Sequence, residues 1–168
     1  SSQALVTKIY FPRLIIPLSK GIVGLIDFMI VLLLLLLLLV SINFKKTGWW
    51  WVLFAAGTVI LTDFVSSAIV KPNIFRLRPC HEPDFASWIN VLVGYRPQSS
   101  SFTSSHAANH FGMAMFLYFT LRTRFKKWPA LFFLWAFSIS FAQVYVGVHY
   151  PIDIICGGLI GILIGYLS

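Results

Sequence analysis

Residues 49–79 read WWWVLFAAGTVILTDFVSSAIVKPNIFRLRP. The part from Trp49 to Val70 is apolar and long enough to cross a bilayer, which takes roughly 20 residues of helix. Trp49, Trp50 and Trp51 stand at one end, where aromatic side chains anchor at the membrane surface, and Lys71 closes the other. The composition agrees: 58% of residues are hydrophobic and only 11% charged, where a soluble domain carries about 25% charged. Upstream, Gly21 to Ile42 contains an unbroken leucine run, Leu32 to Leu39, and exceeds a signal-peptide core of about 7–15 residues. Downstream, further apolar segments run from His106 to Leu121, from Pro129 to Val146, and onward from Pro151. The pattern predicts an all-α, polytopic transmembrane helical bundle of about five spans. Residues 72–105 are too polar to cross, and long enough to form an organised active-site loop.

The net charge of +8 lacks the clustered basic face of a soluble nucleic-acid module, so nucleic acid is excluded and anionic lipid or phosphate is the expected partner class. Cys80 lies in a polar loop and Cys156 in an apolar run, which defines neither a disulfide framework nor a metal spacing. Alternation of spans puts the 72–105 loop and His149 on one membrane face. Lys45, Lys46, Arg122, Arg124, Lys126 and Lys127 fall on the opposite face, which the positive-inside tendency assigns to the cytoplasm. The loop then faces outward, although Lys8, Arg13 and Lys20 also land outside and count against that orientation.

Three polar clusters share the loop's face. In KPNIFRLRP, Lys71 and Arg78, with Arg76 between, supply cations able to hold a phosphate-like anion through charge-assisted hydrogen bonds; anchoring of a span end to headgroups is the plainer alternative. In SSSFTSSHAANHFG, Ser104 or Ser105 is placed to cap a helix whose first amides would face an anion, with His106 beside it as a proton donor. His110 shares the face of His106, but no carboxylate or cysteine joins them, so no metal is expected. In QVYVGVHYPID, Pro151 suits the first helical position, Tyr150 the cap and Asp153 the third position, from which it reaches back to His149. A carboxylate on one imidazole nitrogen fixes the tautomer and leaves the other nitrogen as base or nucleophile; a capping aspartate beside an uninvolved histidine is the alternative. Together the three clusters fit a phosphoryl-transfer site. Asp27 and Asp63 lie inside apolar runs, where an ionisable residue marks either function or helix packing.

With these motifs the chain resembles the type 2 phosphatidic acid phosphatase family, which groups lipid phosphate phosphatases with haloperoxidases, over about residues 44–168. Lys71, PNIFRL, Arg78 and Pro79 match its first motif fully, and the resemblance implies that both basic residues bind the substrate phosphate. TSSH at 103–106 keeps Ser104 and His106 of Pro-Ser-Gly-His, with Thr103 for the proline and Ser105 for the glycine; the histidine is the implied general acid. His149 and Asp153 match the third motif as implied nucleophile and orienting carboxylate, while Ala142 and Gln143 replace its Ser-Arg pair. Gln143 offers a neutral amide where the family has a third cation on the phosphate; Arg76 and Arg96 are the candidates to compensate.

The resemblance implies an integral membrane phosphatase, working without metal or other cofactor, that hydrolyses a lipid phosphate or polyprenyl diphosphate such as undecaprenyl diphosphate through a phosphohistidine. The expected location is a bacterial inner membrane, with the site facing outward as the charge pattern has it. The alternative is a non-catalytic lipid-phosphate binder or transporter component. Residues 1–43, with one span, are atypical for the family; KIYFPRLIIPLS followed by GLIDF resembles a segment of polysaccharide-exporting ABC permeases.

Overall fold

The computed structural model describes residues 45–83 and 97–168, with Leu38 and Ile42 besides. The expected span at Gly21–Ile42, Asp27 and the 1–43 segment therefore lie outside the described residues, apart from those two positions. Contacts divide the chain into two units, Ser1–Val52 and Leu53–Ser168, and the second carries the site.

Among the described residues all regular structure is helical. Helix α1 (Lys45–Asp63) runs into a π-helical stretch, Phe64–Val70, and then one α-turn, α2 (Lys71–Asn73). An extended segment leads to a short 3₁₀ turn at Pro79–His81. Helix α3 (Ser105–Phe125) follows, then a 3₁₀ turn at Trp128–Ala130, helix α4 (Leu131–Tyr145) and helix α5 (Pro151–Leu167). Each downstream segment expected to span is a helix. Two stretches, Thr47–Asn73 and Trp128–Tyr145, are long and apolar enough to cross a membrane by length and composition, and Pro151–Leu167 is apolar but shorter.

The packing has large apolar residues outside and small ones inside. Along α1, Leu53, Phe54, Ile60 and Leu61 are exposed, while Ala55, Thr58 and Thr62, and Ser66 beyond them, form a buried stripe. The stripe's hydroxyls satisfy themselves on the preceding turn: Thr58 Oγ1 donates to Phe54 O at 2.8 Å and Ser66 Oγ to Asp63 O at 3.2 Å. Helix α5 repeats the scheme, with Leu159, Leu163 and Tyr166 exposed and Gly157, Gly161 and Gly165 buried. Small residues every four positions let two helices meet backbone to backbone, the usual way spanning helices associate where lipid tails are as apolar as leucine.

That stripe is what positions the site. A Cβ on Gly161 would stand 2.2 Å from Ala108 O of α3, and one on Gly157 would stand 2.4 Å from Ser104 O. The heads of α3 and α5 are thereby pressed together, and each head carries one of the polar clusters. Helix α4 covers the other side of α3, with Trp135 on His110 at 4.9 Å and Phe133 on Phe111 and Tyr118.

Asp63 has helix-packing partners, which the apolar sequence around it gives no sign of. Its Oδ1 accepts from Asn109 Nδ2 of α3 at 3.3 Å and from Ser67 Oγ at 3.3 Å. Ser67 Oγ lies 2.9 Å from Ser105 Oγ, and Thr62 Oγ1 donates to Asn109 Oδ1 at 2.9 Å. A polar clasp thus ties the stretch that ends in Lys71 to the first turns of α3.

Gly161→Val is expected to lower the thermal unfolding midpoint in detergent, by overpacking worth roughly 1–3 kcal/mol or more. Gly57→Ala, where a Cβ meets nothing within 4 Å, is the control: it should stay within about 1 kcal/mol of wild type, on the stabilising side.

Candidate active site

The loop between α4 and α5 turns on Gly147, whose φ of 76° suits glycine. The Gln143 carbonyl accepts from the amides of both Val148 and His149 at 3.2 Å. This turn aims His149 back under the bundle, where it is 3% exposed. Helix α5 then starts as the sequence predicts, with Tyr150 at the cap and Pro151 first.

Asp153 is fully buried. Its Oδ2 accepts the Tyr150 amide at 2.9 Å and the Ser101 hydroxyl, and its Oδ1 accepts Arg76 Nη1 at 3.2 Å. His149 Nδ1 stands 3.6 Å from Oδ2, an ion-pair separation slightly long for a hydrogen bond. The carboxylate thus caps α5 and also stands beside His149 Nδ1.

Arg78 is buried on the far side of the imidazole. Its Nε donates to Ser99 O at 2.9 Å, Nη2 to Ser99 Oγ at 3.0 Å and Ser100 O at 3.4 Å, and Nη1 to Val148 O at 3.0 Å. Nη1 also lies 3.3 Å from His149 Nε2. A guanidinium only donates, so Nε2 is the acceptor in this contact and the proton of the neutral ring belongs on Nδ1, facing Asp153. Burial holds the His149 imidazole below its ordinary pKa; the Asp153 carboxylate opposes this, and the Arg78 charge adds to it. The ring is thus biased towards the neutral form, with its Nε2 lone pair directed towards Arg78.

Ser104, of the two serines expected to cap α3, is the one that does: its Oγ accepts from Ala107 N at 3.3 Å. Its own amide donates to Asp153 O at 3.1 Å. The amides of Ser105 and His106 are left as first-turn groups without an intrahelical acceptor, in a helix long enough to carry a dipole. His106 is exposed, and His110 donates from Nδ1 to the His106 carbonyl at 2.7 Å while its ring packs on Trp135 of α4. His106, His149, Lys71 and Arg78 lie within electrostatic reach of one another. Gln143 enters the site through its main chain, with a half-buried side chain.

Of the two arginines considered as replacements for the missing third cation, Arg96 lies outside the described residues and Arg76 is engaged on Asp153. Sequence reading singles out Arg76 as a cation for the phosphate rather than as a partner of Asp153, and misses Ser101 altogether. Neither falls at a motif position, and only the loop's fold brings them to the carboxylate.

The described residues form a bundle of membrane-spanning type with two histidines, a buried carboxylate and three cations gathered at one end. The model of the PAP2 superfamily matches residues 48–168. The chain belongs to that superfamily. It is 37% identical over 118 residues to a lipid A 4'-phosphatase of Bacteroides thetaiotaomicron, covering 69% of this chain and 51% of that protein. It is 33% identical over 120 residues to the Porphyromonas gingivalis protein of the same name, covering 68% and 49%. The chain thus spans about half the length of the curated relatives it matches. The crystal structure of Aquifex aeolicus LpxE superposes with a TM-score of 0.59 at 26% identity, over 97% of this chain and 89% of that one.

Histidine NMR tests the electrostatics directly. His149 should titrate below the ordinary histidine value. Asp153→Asn removes the charge that raises its pKa and should move it lower still; an upward move would show that Asp153 does not act on the ring.

Proposed function

We propose that the chain carries the active site of an integral membrane phosphatase that hydrolyses a lipid phosphate or diphosphate through a phosphohistidine. The observation that carries this reading is the polarised imidazole: Nδ1 towards the buried Asp153 carboxylate and Nε2 towards Arg78. An anion that draws Arg78 Nη1 onto its own oxygens uncovers the Nε2 lone pair beside its phosphorus. Nε2 then forms the N–P bond as the bond to the leaving oxygen breaks, and Asp153 stabilises the imidazolium that results.

His106, exposed at the head of α3, protonates the leaving oxygen and later takes a proton from the water that hydrolyses the phosphohistidine. Lys71, Arg78 and the first-turn amides of α3 hold the phosphoryl oxygens, where most of the catalytic effect in phosphoryl transfer arises. These groups supply the positive field without a metal. Gln143 adds a neutral donor where the family pattern has a cation.

Phosphorylated lipid A leads the substrate candidates, because the two relatives above bear that activity in their names; polyprenyl diphosphates and phosphatidic acid follow. We further propose that the site faces away from the cytoplasm, with Arg122, Arg124, Lys126 and Lys127 at the opposite end of the bundle.

Detergent-purified protein in EDTA is expected to release phosphate from at least one of these lipids, and His149→Ala to abolish release while keeping its fold. Gln143→Arg should raise the rate by about ten- to a hundredfold, the worth of one charged hydrogen bond of roughly 1.5–3 kcal/mol. Undiminished release by His149→Ala would overturn the reading.

A further inference from the structure

Arg76 and Arg78 stand two apart in the irregular segment between α2 and the 3₁₀ turn at Pro79–His81. They nevertheless grip opposite ends of one unit. Arg78 closes on His149 Nε2, and Arg76 on Asp153 Oδ1. We propose that Arg76 is a positioning residue for the phosphatase reaction: it holds the Asp153 carboxylate against His149 and does not bind the substrate phosphate. The inference rests on the proposed roles of His149 and Asp153.

Three observations carry it. First, Arg76 is fixed from both sides, with its Nη1 3.2 Å from Asp153 Oδ1 and its guanidinium carbon 4.0 Å above the centre of the Tyr150 ring. Both contacts direct the guanidinium, whose side chain is 39% exposed, to Asp153 and Tyr150.

Second, its main chain is locked to the other residue that grips the carboxylate. Ser101 N donates to Arg76 O at 2.9 Å, and Arg76 N donates to Ser100 Oγ at 3.2 Å. Ser101 Oγ binds Asp153 Oδ2 while Arg76 binds Oδ1. Two stretches of chain hydrogen-bonded to each other therefore hold both carboxylate oxygens and set the carboxylate plane, which decides whether Oδ2 faces His149 Nδ1.

Third, a fully buried carboxylate needs a cation, and the buried Arg78 is otherwise engaged. Arg78 spends its donors on Ser99, Ser100, Val148 and His149. Around His149 stand Arg78 on the Nε2 side, Lys71 from the end of α2, His106 from the head of α3, and Asp153 from α5 with Arg76 behind it. Arg76 alone among these cations contacts the carboxylate directly.

The test compares Arg76→Ala and Arg76→Lys with wild type in detergent, using a phosphorylated lipid as substrate and inorganic phosphate as competing ligand. Arg76→Ala should lower kcat by about tenfold or more, while KM and the inhibition constant of phosphate stay within about twofold. Arg76→Lys, which keeps the charge, should recover part of kcat. With Asp153 no longer held against the ring, the His149 imidazolium loses part of its stabilisation, so the acid limb of kcat/KM and the His149 NMR titration should both move to lower pH in Arg76→Ala. A weakened KM and weakened phosphate inhibition with kcat retained would overturn the proposal and make Arg76 a phosphate ligand. An unshifted His149 titration would overturn it too, and that readout needs no turnover. If Arg76→Ala does not fold, Arg76→Gln takes its place in the same measurements. His149→Ala run alongside separates the two claims: activity surviving in it defeats the proposed function, whatever Arg76 does.

Discussion

A carboxylate with no exposure to solvent is the constraint on which the rest of the site depends. Leaving Asp153 charged inside the bundle without partners would cost several kcal/mol, and the chain meets this by bringing three separate segments to it. The 72–83 segment sends Arg76, the loop before α3 sends Ser101, and the turn before α5 sends the Tyr150 amide. The Asp153 carbonyl then takes the Ser104 amide at the cap of α3. His149 is placed by the same set of bonds, because it shares a turn with Tyr150 and lies on the fourth side of the carboxylate.

This arrangement works only if the heads of α3 and α5 lie close together, and backbone contact makes them do so. Gly157 and Gly161 leave no room for a side chain between the two helices. Any bulkier residue there would push the Ser104 cap from the Asp153 carbonyl and with it the α3 amides from His149. The clasp of Asp63, Ser67, Ser105 and Asn109 does the corresponding work for the stretch that ends in Lys71. A polar interior of hydroxyls, amides and one carboxylate, wrapped in leucine and phenylalanine, is the consequence: membrane helices have no hydrophobic drive to associate with each other and use contact and hydrogen bonds instead.

Much of this was legible in the amino-acid order. Apolar runs located the helices at Trp49–Val70, Pro129–Val146 and from Pro151, because the bilayer dictates their length, and Pro151 marked the start of α5 to the residue. The polar clusters at Lys71–Pro79, Ser99–His110 and Gln143–Asp153 gathered on one face, since alternation of spans requires it. Three features were not legible from motif reading. Arg76 is a loop cation with no periodic neighbour, so nothing local says that it turns to Asp153 while Arg78 turns to His149. The partner of Asp63 on α3, Asn109, lies more than forty residues away. The glycines at 157, 161 and 165 do carry a visible signal in their four-residue spacing, but which helix they meet is decided by the tertiary fold.

The central claim is that the Nε2 of His149 is a nucleophile held in place by Asp153 and Arg78, and it is tested most directly by trapping the covalent species. Protein mixed with radiolabelled phosphorylated lipid and quenched in alkali within one turnover should carry a base-stable, acid-labile label on a peptide containing His149, absent in His149→Ala. A wild-type protein that turns substrate over yet carries no label at His149 under the same quench would contradict the account.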